Sequence, residues 1–234
     1  MKPICIIPAR AGSKGVKGKN IRKLDVKPLI SYAIKSTLES KLFSNVFVST
    51  EDLKISKIAK KYGVEVPFLR PKKLARDNSD IVETLHHTIK KLEQDYNFNS
   101  VMLRDCTCPF IDYNDMKNII NLFKKNDCDS VYSGVLAHPN PYFGMMEKNS
   151  LGYLKKSKIL KNEITRRQDS PIVYNVEGLF ALKKNKFLKT GNINSGKILP
   201  YVLPRSHGIM IDYEIDFLIA KLLFDRKKLN FLQS

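Results

Sequence analysis

The chain has 234 residues, 43% of them hydrophobic, and carries a formal net charge of +18 at pH 7. This length suits one α/β domain, and no apolar run approaches the roughly 20 residues of a membrane-spanning helix, so we expect no membrane partner. The lysines are scattered through every segment without interleaved aromatic residues, so we interpret the charge as a compositional bias. A basic nucleic-acid-binding protein is therefore kept only as the non-enzymatic alternative, and we expect no specific nucleic-acid binding.

The cysteines and the N-terminus indicate where the protein works. Cys5, Cys106, Cys108 and Cys128 form no Cys-x-x-Cys pair, which favours reduced thiols over a zinc site or disulfides. A strand pattern begins directly after Met1 and Lys2, so we expect no leader peptide. Both observations predict a cytoplasmic protein.

Strand-like and helix-like patterns alternate along the chain. Helix 54–62 is predicted to end at Gly63, and acids or hydroxyls at Ser79, Asp80 and Asp112 are suitable caps for two later helices. We predict strands at 3–7, 45–49, 64–69, 100–104, 130–135 and 178–182, and helices at 29–39, 54–62, 81–94, 113–125 and 213–224.

This alternation predicts a doubly wound, largely parallel but mixed sheet, with the ligand beyond the carboxyl ends of the strands. Residues 1–234 are predicted to form a single domain. The rhythm breaks between 138 and 174, where prolines, paired methionines and a lysine-rich stretch show no helical period. This segment is predicted to be an excursion from the domain.

A glycine-rich, cationic loop follows the first strand. It contains Arg10, Lys14 and Lys19 around three evenly spaced glycines, and no acidic residue. Backbone N–H groups freed by glycines and side-chain cations together favour a bound phosphate chain. The spacing fits neither the P-loop nor the dinucleotide fingerprint, so from composition alone a basic surface loop is an equal alternative.

The wording of this loop resembles the nucleotide-binding signature of the acylneuraminate cytidylyltransferases, which are CMP-sialic acid or CMP-nonulosonate synthetases. The likeness recurs in the same order over nearly the whole chain. The matching blocks are 6–30, 48–52, 69–77, 107–109, 164–169 and 211–216.

The resemblance implies a Rossmann-like nucleotidyltransferase fold whose excursion, 138–174, is an extended dimerisation arm. It implies a homodimer with a shared active site, in which Arg167 reaches toward the partner subunit's sugar and phosphate. It also implies that Arg10, Lys19, Asp212 and Arg167 are the catalytic residues and that Asp212 binds Mg²⁺. The implied nucleotide-binding residues are Arg10, Ala11, Gly12, Ser13, Lys14, Lys19, Asn20 and, at the cytosine, Arg70.

Three positions depart from the family pattern and concern the sugar and the metal. Asp105 and Glu177 stand where the family has Gln and Asn, and Met210 replaces one metal-facing aspartate. A carboxylate only accepts hydrogen bonds, so the acids predict a sugar with more donor groups than N-acetylneuraminate offers. Alternatively, Asp105 supplies the carboxylate that is missing at Met210. The implied substrate-binding residues are Asp105, Arg166, Arg167, Gln168 and Glu177.

We therefore expect an enzyme that transfers CMP from CTP to the anomeric hydroxyl of an acidic, sialic-acid-like keto sugar and releases pyrophosphate. The enzymatic alternatives are a 3-deoxy-octulosonate sugar or another nucleoside triphosphate. A degenerate, non-catalytic paralogue is the third possibility.

Overall fold

The computed structural model describes residues 1–12, 15–76, 79–162 and 164–224. The helices are α1 (Leu29–Ser40), α2 (Leu53–Lys61), α3 (Ile81–Leu92), α4 (Tyr113–Lys125), α5 (Lys184–Thr190) and α6 (Glu214–Phe224). The main strands are β1 (Ile4–Pro8), β4 (Val46–Ser49), β5 (Ser100–Arg104), β6 (Ser130–Leu136), β9 (Tyr174–Lys183) and β10 (Ile198–Val202). Two short hairpins pair β2 (Lys23–Leu24) with β3 (Lys27–Pro28), and β7 (Met146–Lys148) with β8 (Leu154–Lys156).

The six main strands form one sheet in the order β10-β6-β9-β5-β1-β4. Strand β9 runs antiparallel to both of its neighbours, whereas β10–β6, β5–β1 and β1–β4 are parallel pairs. The predicted mixed, largely parallel α/β sheet is therefore confirmed. Because β1, β4 and β5 point the same way, the segments that follow them meet at one edge of the sheet.

Alternating side chains of the central strands face two separate cores. On β1, Cys5 and Ile7 belong to a core that includes Ile34 of α1 and Ile119 of α4. Ile4 and Ile6 face the other core, which includes α3. A strand covered by helices on both faces reads as a continuous apolar run, which is the pattern of residues 4–7.

Aspartates fix the starts of three helices. Asp52, Asp80 and Asp112 each accept a hydrogen bond from a backbone amide in the first turn of α2, α3 and α4 respectively. At α4 the arrangement is reciprocal, because Asp115 accepts from the Asp112 amide. The capping prediction for Asp80 and Asp112 is thereby confirmed.

The predicted strand at 64–69 is wrong. This segment makes only an isolated parallel bridge between Glu65 and Phe47. Pro67 has no N–H to donate to a ladder, so the pairing ends after one bridge. Helix α5 and strand β10 lack a strong apolar pattern, and the sequence analysis predicts neither of them.

The four cysteines are buried and free of disulfides. Within the described residues, no helix has both the length and the apolar character needed to cross a bilayer.

Candidate active site

A cleft of about 770 Å³ lies beyond the carboxyl ends of β1, β4 and β5. Its walls include six of the predicted site residues, Arg10, Lys19, Asn20, Arg70, Asp105 and Asp212. A second cavity of about 610 Å³ opens at the opposite end of the sheet, beside Met1 and Lys186, and includes none of the predicted residues. Six of the predicted site residues therefore share the first cleft.

Lys19 and Asp212 meet across this cleft although they are far apart in sequence. The Lys19 ammonium lies 2.8 Å from Asp212 Oδ1 and donates to the Ile211 carbonyl oxygen at 2.6 Å. The backbone of the glycine-rich loop also closes on this segment, because a Cβ on Gly15 would collide with the Asp212 carbonyl oxygen. Only glycine permits that approach, so the loop and the acid form one wall.

Asn20 fastens the end of the loop to its beginning. Its amide nitrogen donates to the Arg10 carbonyl oxygen at 2.8 Å, and its amide oxygen accepts from the Cys106 thiol at 3.1 Å. Burial raises the pKa of Cys106 to about 12, so this sulfur remains a protonated donor at neutral pH. The Arg10 guanidinium donates to the Arg76 carbonyl oxygen at 3.1 Å on the cleft wall.

Arg70 is held by Glu51, a residue to which the sequence assigned no role. The Glu51 Oε2 atom accepts from Arg70 Nε at 3.1 Å and Nη2 at 3.0 Å. Its other oxygen accepts from the Ala11 amide at 2.7 Å. Burial lowers the pKa of Arg70, and the Glu51 charge acts in the opposite direction. The cation therefore stays ionised in a largely enclosed place.

Asp105 begins the turn that follows β5. Its Oδ1 atom accepts from both the amide (2.9 Å) and the hydroxyl (2.8 Å) of Thr107. Among the described residues, no hydrogen bond is found to Oδ2, so that atom can accept from a ligand. The fully buried Arg104 clamps the same turn by donating to the carbonyl oxygens of Asp105 and Cys108. The Thr107 carbonyl accepts from the Ile211 amide at 3.0 Å, which joins the turn to the Asp212 segment.

Glu177 lies beside the cleft and is only 3% exposed. Its Oε2 atom accepts from the Asn175 amide at 3.2 Å, whereas its buried Oε1 atom has no hydrogen-bond partner among the described residues. Burial, with the charges of Asp105 and Asp212, raises the pKa of Glu177 to about 7. Three carboxyl groups therefore interact at this edge, and one of them is readily protonated.

Asp216 orders the backbone that carries Asp212. Its Oδ2 atom accepts from the amides of Asp212 at 2.9 Å and Tyr213 at 2.7 Å, where α6 begins. Asp216 is therefore an anchor at the start of the helix.

The excursion residues lie apart from the cleft in a single chain. Arg166 pairs with Asp169 at 2.8 Å, and Arg167 contacts the His138 ring nitrogen. Arg166, Arg167 and Gln168 are all exposed, and none lines the cleft. Ser13, Lys14 and Asp77, which belong to the matching sequence blocks, lie outside the described residues.

Glu51 and Arg104 are the polar residues that sequence reasoning missed. Glu51 lies within a matching block, and its position directly after a buried strand was an available signal. Arg104 ends an apolar strand, and a cation there needs internal acceptors when both sheet faces are covered.

Comparisons with known proteins bear on the family and the fold. A family model described as Cytidylyltransferase matches residues 4–190. Post-translational flagellin modification protein B from Campylobacter coli is 33% identical over 230 residues, covering 97% of both chains. CMP-N,N'-diacetyllegionaminic acid synthase from Campylobacter jejuni is 31% identical over 233 residues, again covering 97% of both chains.

A solved structure of CMP:2-keto-3-deoxy-manno-octonic acid synthetase complexed with CTP shares the fold, with a TM-score of 0.71. It covers 97% of this chain and 100% of that chain at 14% identity. The nucleotidyltransferase architecture expected from the sequence is thereby confirmed.

Proposed function

This chain belongs to the cytidylyltransferase family, and from that membership we propose that it transfers CMP from CTP to the anomeric hydroxyl of an acidic keto sugar, with release of pyrophosphate. The observation that carries the proposal is the meeting of Lys19, from the glycine-rich loop, with Asp212 in one cleft. A triphosphate needs fixed cations to neutralise it, and a carboxylate beside them can hold a divalent cation that serves the same purpose.

The chain's own residues divide the work between charge and position. Arg10 and Lys19 neutralise the triphosphate and the departing pyrophosphate, while the backbone around Ala11 and Gly12 approaches the phosphate oxygens. Arg70 presents N–H donors to the cytosine, and Asn20 holds the loop closed. Ser13 and Lys14 are assigned to the same loop on their place in the sequence.

Mg²⁺ is the cofactor that the donor set fits. Asp212 and Asp105 supply hard carboxylate oxygens, and their charges, together with burial, raise the pKa of Glu177. Asp212 and Asp105 would hold the cation, and its charge would offset theirs. When bound, it supplies charge stabilisation to phosphate oxygens and polarises the attacking hydroxyl. Asp105 thus compensates for the non-ligating side chain at Met210.

The sugar is proposed to be a nonulosonate with more amide N–H donors than N-acetylneuraminate. The relative from Campylobacter jejuni is named for an N,N'-diacetyllegionaminic acid, which carries two amide N–H groups. Glu177 offers acceptor oxygens to such groups, and its Oε1 atom has no hydrogen-bond donor among the described residues. Arg166, Arg167 and Gln168 are proposed to bind the sugar carboxylate.

The proposed assembly is a homodimer in the cytoplasm that serves glycan biosynthesis. Each arm, 138–174, would carry Arg167 to the partner's cleft, which agrees with the exposure of that side chain in a single chain. The charge of +18 is not assigned to a nucleic-acid partner.

The test is pyrophosphate release by the purified full chain with Mg²⁺, across CTP, UTP, ATP and GTP and a panel of 2-keto sugar acids. We expect turnover with CTP and a diacetylated nonulosonate, and poor turnover with N-acetylneuraminate. Preference for 3-deoxy-octulosonate or for another nucleotide would favour the enzymatic alternatives. No turnover with any pair would favour the non-catalytic paralogue.

A further inference from the structure

The Glu51 carboxylate connects Arg70, which lines the cleft, with Ala11, at the start of the glycine-rich loop. One oxygen accepts from two nitrogens of Arg70, on the base side, and the other accepts from the Ala11 amide, where the phosphate loop begins. The side chains of Arg70 and Glu51 are only 4% and 10% exposed. The carboxylate is therefore enclosed and fully engaged.

The bridge fixes which N–H groups Arg70 has left. Its Nε–H and one Nη2–H point at Glu51, so the Nη1 group and the remaining Nη2–H are available to a ligand. A guanidinium offers only donors and does not lose its proton in proteins. Cytosine presents acceptors at O2 and N3, whereas uracil carries an N–H at position 3 that would oppose another donor.

The backbone at the end of β4 keeps this arrangement in register. The Thr50 carbonyl accepts from the Arg70 amide at 2.9 Å, and the Ser49 carbonyl accepts from the Ala9 amide at 2.9 Å. Both segments that Glu51 joins are thus anchored to residues 49 and 50, which directly precede Glu51. The carboxylate adds the side-chain contact that sets the rotation of the guanidinium.

We propose that Glu51 is a positioning residue that sets the preference for cytosine and couples base recognition to the phosphate loop. This inference rests on the proposed function only in taking the cleft to bind CTP. Without the carboxylate, the buried Arg70 cation would turn toward other acceptors, and the Ala11 amide would lose its partner. Binding of the base and of the triphosphate would then weaken together.

The neighbouring Asp52 is a matched control because it is an acid at the same strand end with a different task. Its Oδ1 atom accepts from the Ile55 amide at 2.8 Å and caps α2. Asp52→Ala should lower thermal stability through loss of the cap while leaving nucleotide preference unchanged. A general weakening of this region would affect both variants alike.

The experiment compares Glu51→Gln, Glu51→Ala and Asp52→Ala with the unaltered protein. It measures calorimetric Kd values for CTP and UTP, and KM values for CTP and sugar. Glu51→Ala should weaken CTP binding about tenfold or more. The preference for CTP over UTP, measured as the ratio of their Kd values, should fall by a similar factor, and the KM for the sugar should stay unchanged. Glu51→Gln should have a smaller effect on CTP affinity than Glu51→Ala, because its amide oxygen can still accept from one of the two partners, Arg70 or Ala11.

A folded Glu51→Ala protein with unaltered CTP affinity and an unaltered CTP-to-UTP ratio would overturn the inference. If that variant does not fold, the single changes Glu51→Gln and Arg70→Lys and their double variant decide. Additive losses in CTP affinity contradict the bridge, and a combined loss smaller than the sum of the two supports it. If the unaltered protein binds CTP but transfers CMP to no sugar, the proposed reaction is wrong, and the Kd comparison still tests the role of Glu51.

Discussion

The Lys19 ammonium is held in place by two acceptors in the cleft. It donates to Asp212 Oδ1 and to the Ile211 carbonyl oxygen. Its side chain is 13% exposed, so it has little freedom to wander into solvent. An arriving phosphate would exchange with these partners instead of ordering a mobile lysine. Preorganised charge of this kind costs no rearrangement at the moment of reaction.

Lys19→Ala should therefore reduce kcat/KM for CTP by about a hundredfold or more, because the lost cation faces the charge that develops on the leaving group. Lys17→Ala is the control, since Lys17 is an exposed residue of the same loop and should stay within about threefold of the unaltered enzyme. Steady-state kinetics and a melting curve measure both. Equal losses for the two lysines would remove Lys19 from its assigned role.

Glu177→Gln tests the crowding of carboxyl groups through pH. The folded-state pKa of about 7 lies above the ordinary value of 4.5. Between these values the folded protein holds a proton that the unfolded chain has released, so stability falls as pH rises through that window. At pH 8.5, Glu177→Gln should therefore have a higher free energy of unfolding than the unaltered protein. This gain should be about 1–3 kcal/mol larger than the gain at pH 4.5.

Urea unfolding of Glu177→Gln and the unaltered protein at the two pH values, in metal-free buffer, measures that difference. An effect of the same size at both pH values would mean that the pKa of Glu177 is not raised in the folded protein.

At the scale of elements, the start of α4 is tied to the loop before Asp212. Asp115, 2% exposed, accepts from His207 Nδ1 at 2.7 Å and from the Tyr201 hydroxyl at 3.2 Å. The hydrogen bond to Asp115 raises the pKa of His207, although burial opposes it. Burial would raise the pKa of Asp115, but the hydrogen bonds from His207 and the Asp112 amide lower it overall.

His207→Ala should destabilise the protein more at low pH than at high pH. A histidine with a raised folded-state pKa contributes stability fully below its unfolded pKa of 6.5 and loses it as pH rises through the folded value. We expect a loss of about 1–2 kcal/mol at pH 5.5 and less at pH 9. Thermal or urea unfolding measures it, and a loss that does not change with pH would show that charge plays no part.

The sequence predicted most of these elements because their apolar patterns are strong. Helices α1, α3 and α4 bury one face, and β1 is apolar on both faces, so their periods are visible without tertiary information. Helix α5 buries only Phe187, and β10 is an edge strand that contains Pro200, so neither produces a clear period. Segment 64–69 has strand-like residues but no N–H at Pro67.

The site residues that could be predicted are those in sequence blocks that match the family. Contacts between distant residues could not be predicted. The loop and Asp212 were named from the family resemblance, and the fold brings them together. The Glu51 bridge joins residues 40 and 19 positions away, and no local pattern encodes such pairs. The burial of Glu177 likewise depends on Gly208, which leaves no Cβ where the Glu177 carboxylate packs.

At the scale of the whole molecule, the excursion 138–174 exposes apolar side chains that a single chain leaves uncovered. Leu151, Tyr153, Leu154 and Ile159 are between 68% and 81% exposed around the β7–β8 hairpin. A second copy of the chain is the proposed cover. Arg167, on the same excursion, would then complete a cleft that lies in the partner.

Mixing two inactive variants tests this sharing of sites. Lys19→Ala damages the cleft, and Arg167→Ala damages the arm that serves the other cleft. Refolding them together should restore activity to about a quarter of the unaltered level, since half of random dimers carry one intact site. Each variant refolded alone is the control. No recovery in a mixture that sedimentation shows to be dimeric would place Arg167 in its own chain's site.

The antiparallel β9 strand also governs when the protein can fold. It lies between β5 and β6 in the sheet, yet it is made about 40 residues after β6 in the order of synthesis. Until residue 183 has left the ribosome, β5 presents one unpaired edge and β6 has no partner strand in the sheet, because β10 is made later still. Closing the domain thus waits for a late segment with distant partners, which favours slow folding and makes chains truncated before β9 prone to edge-to-edge aggregation.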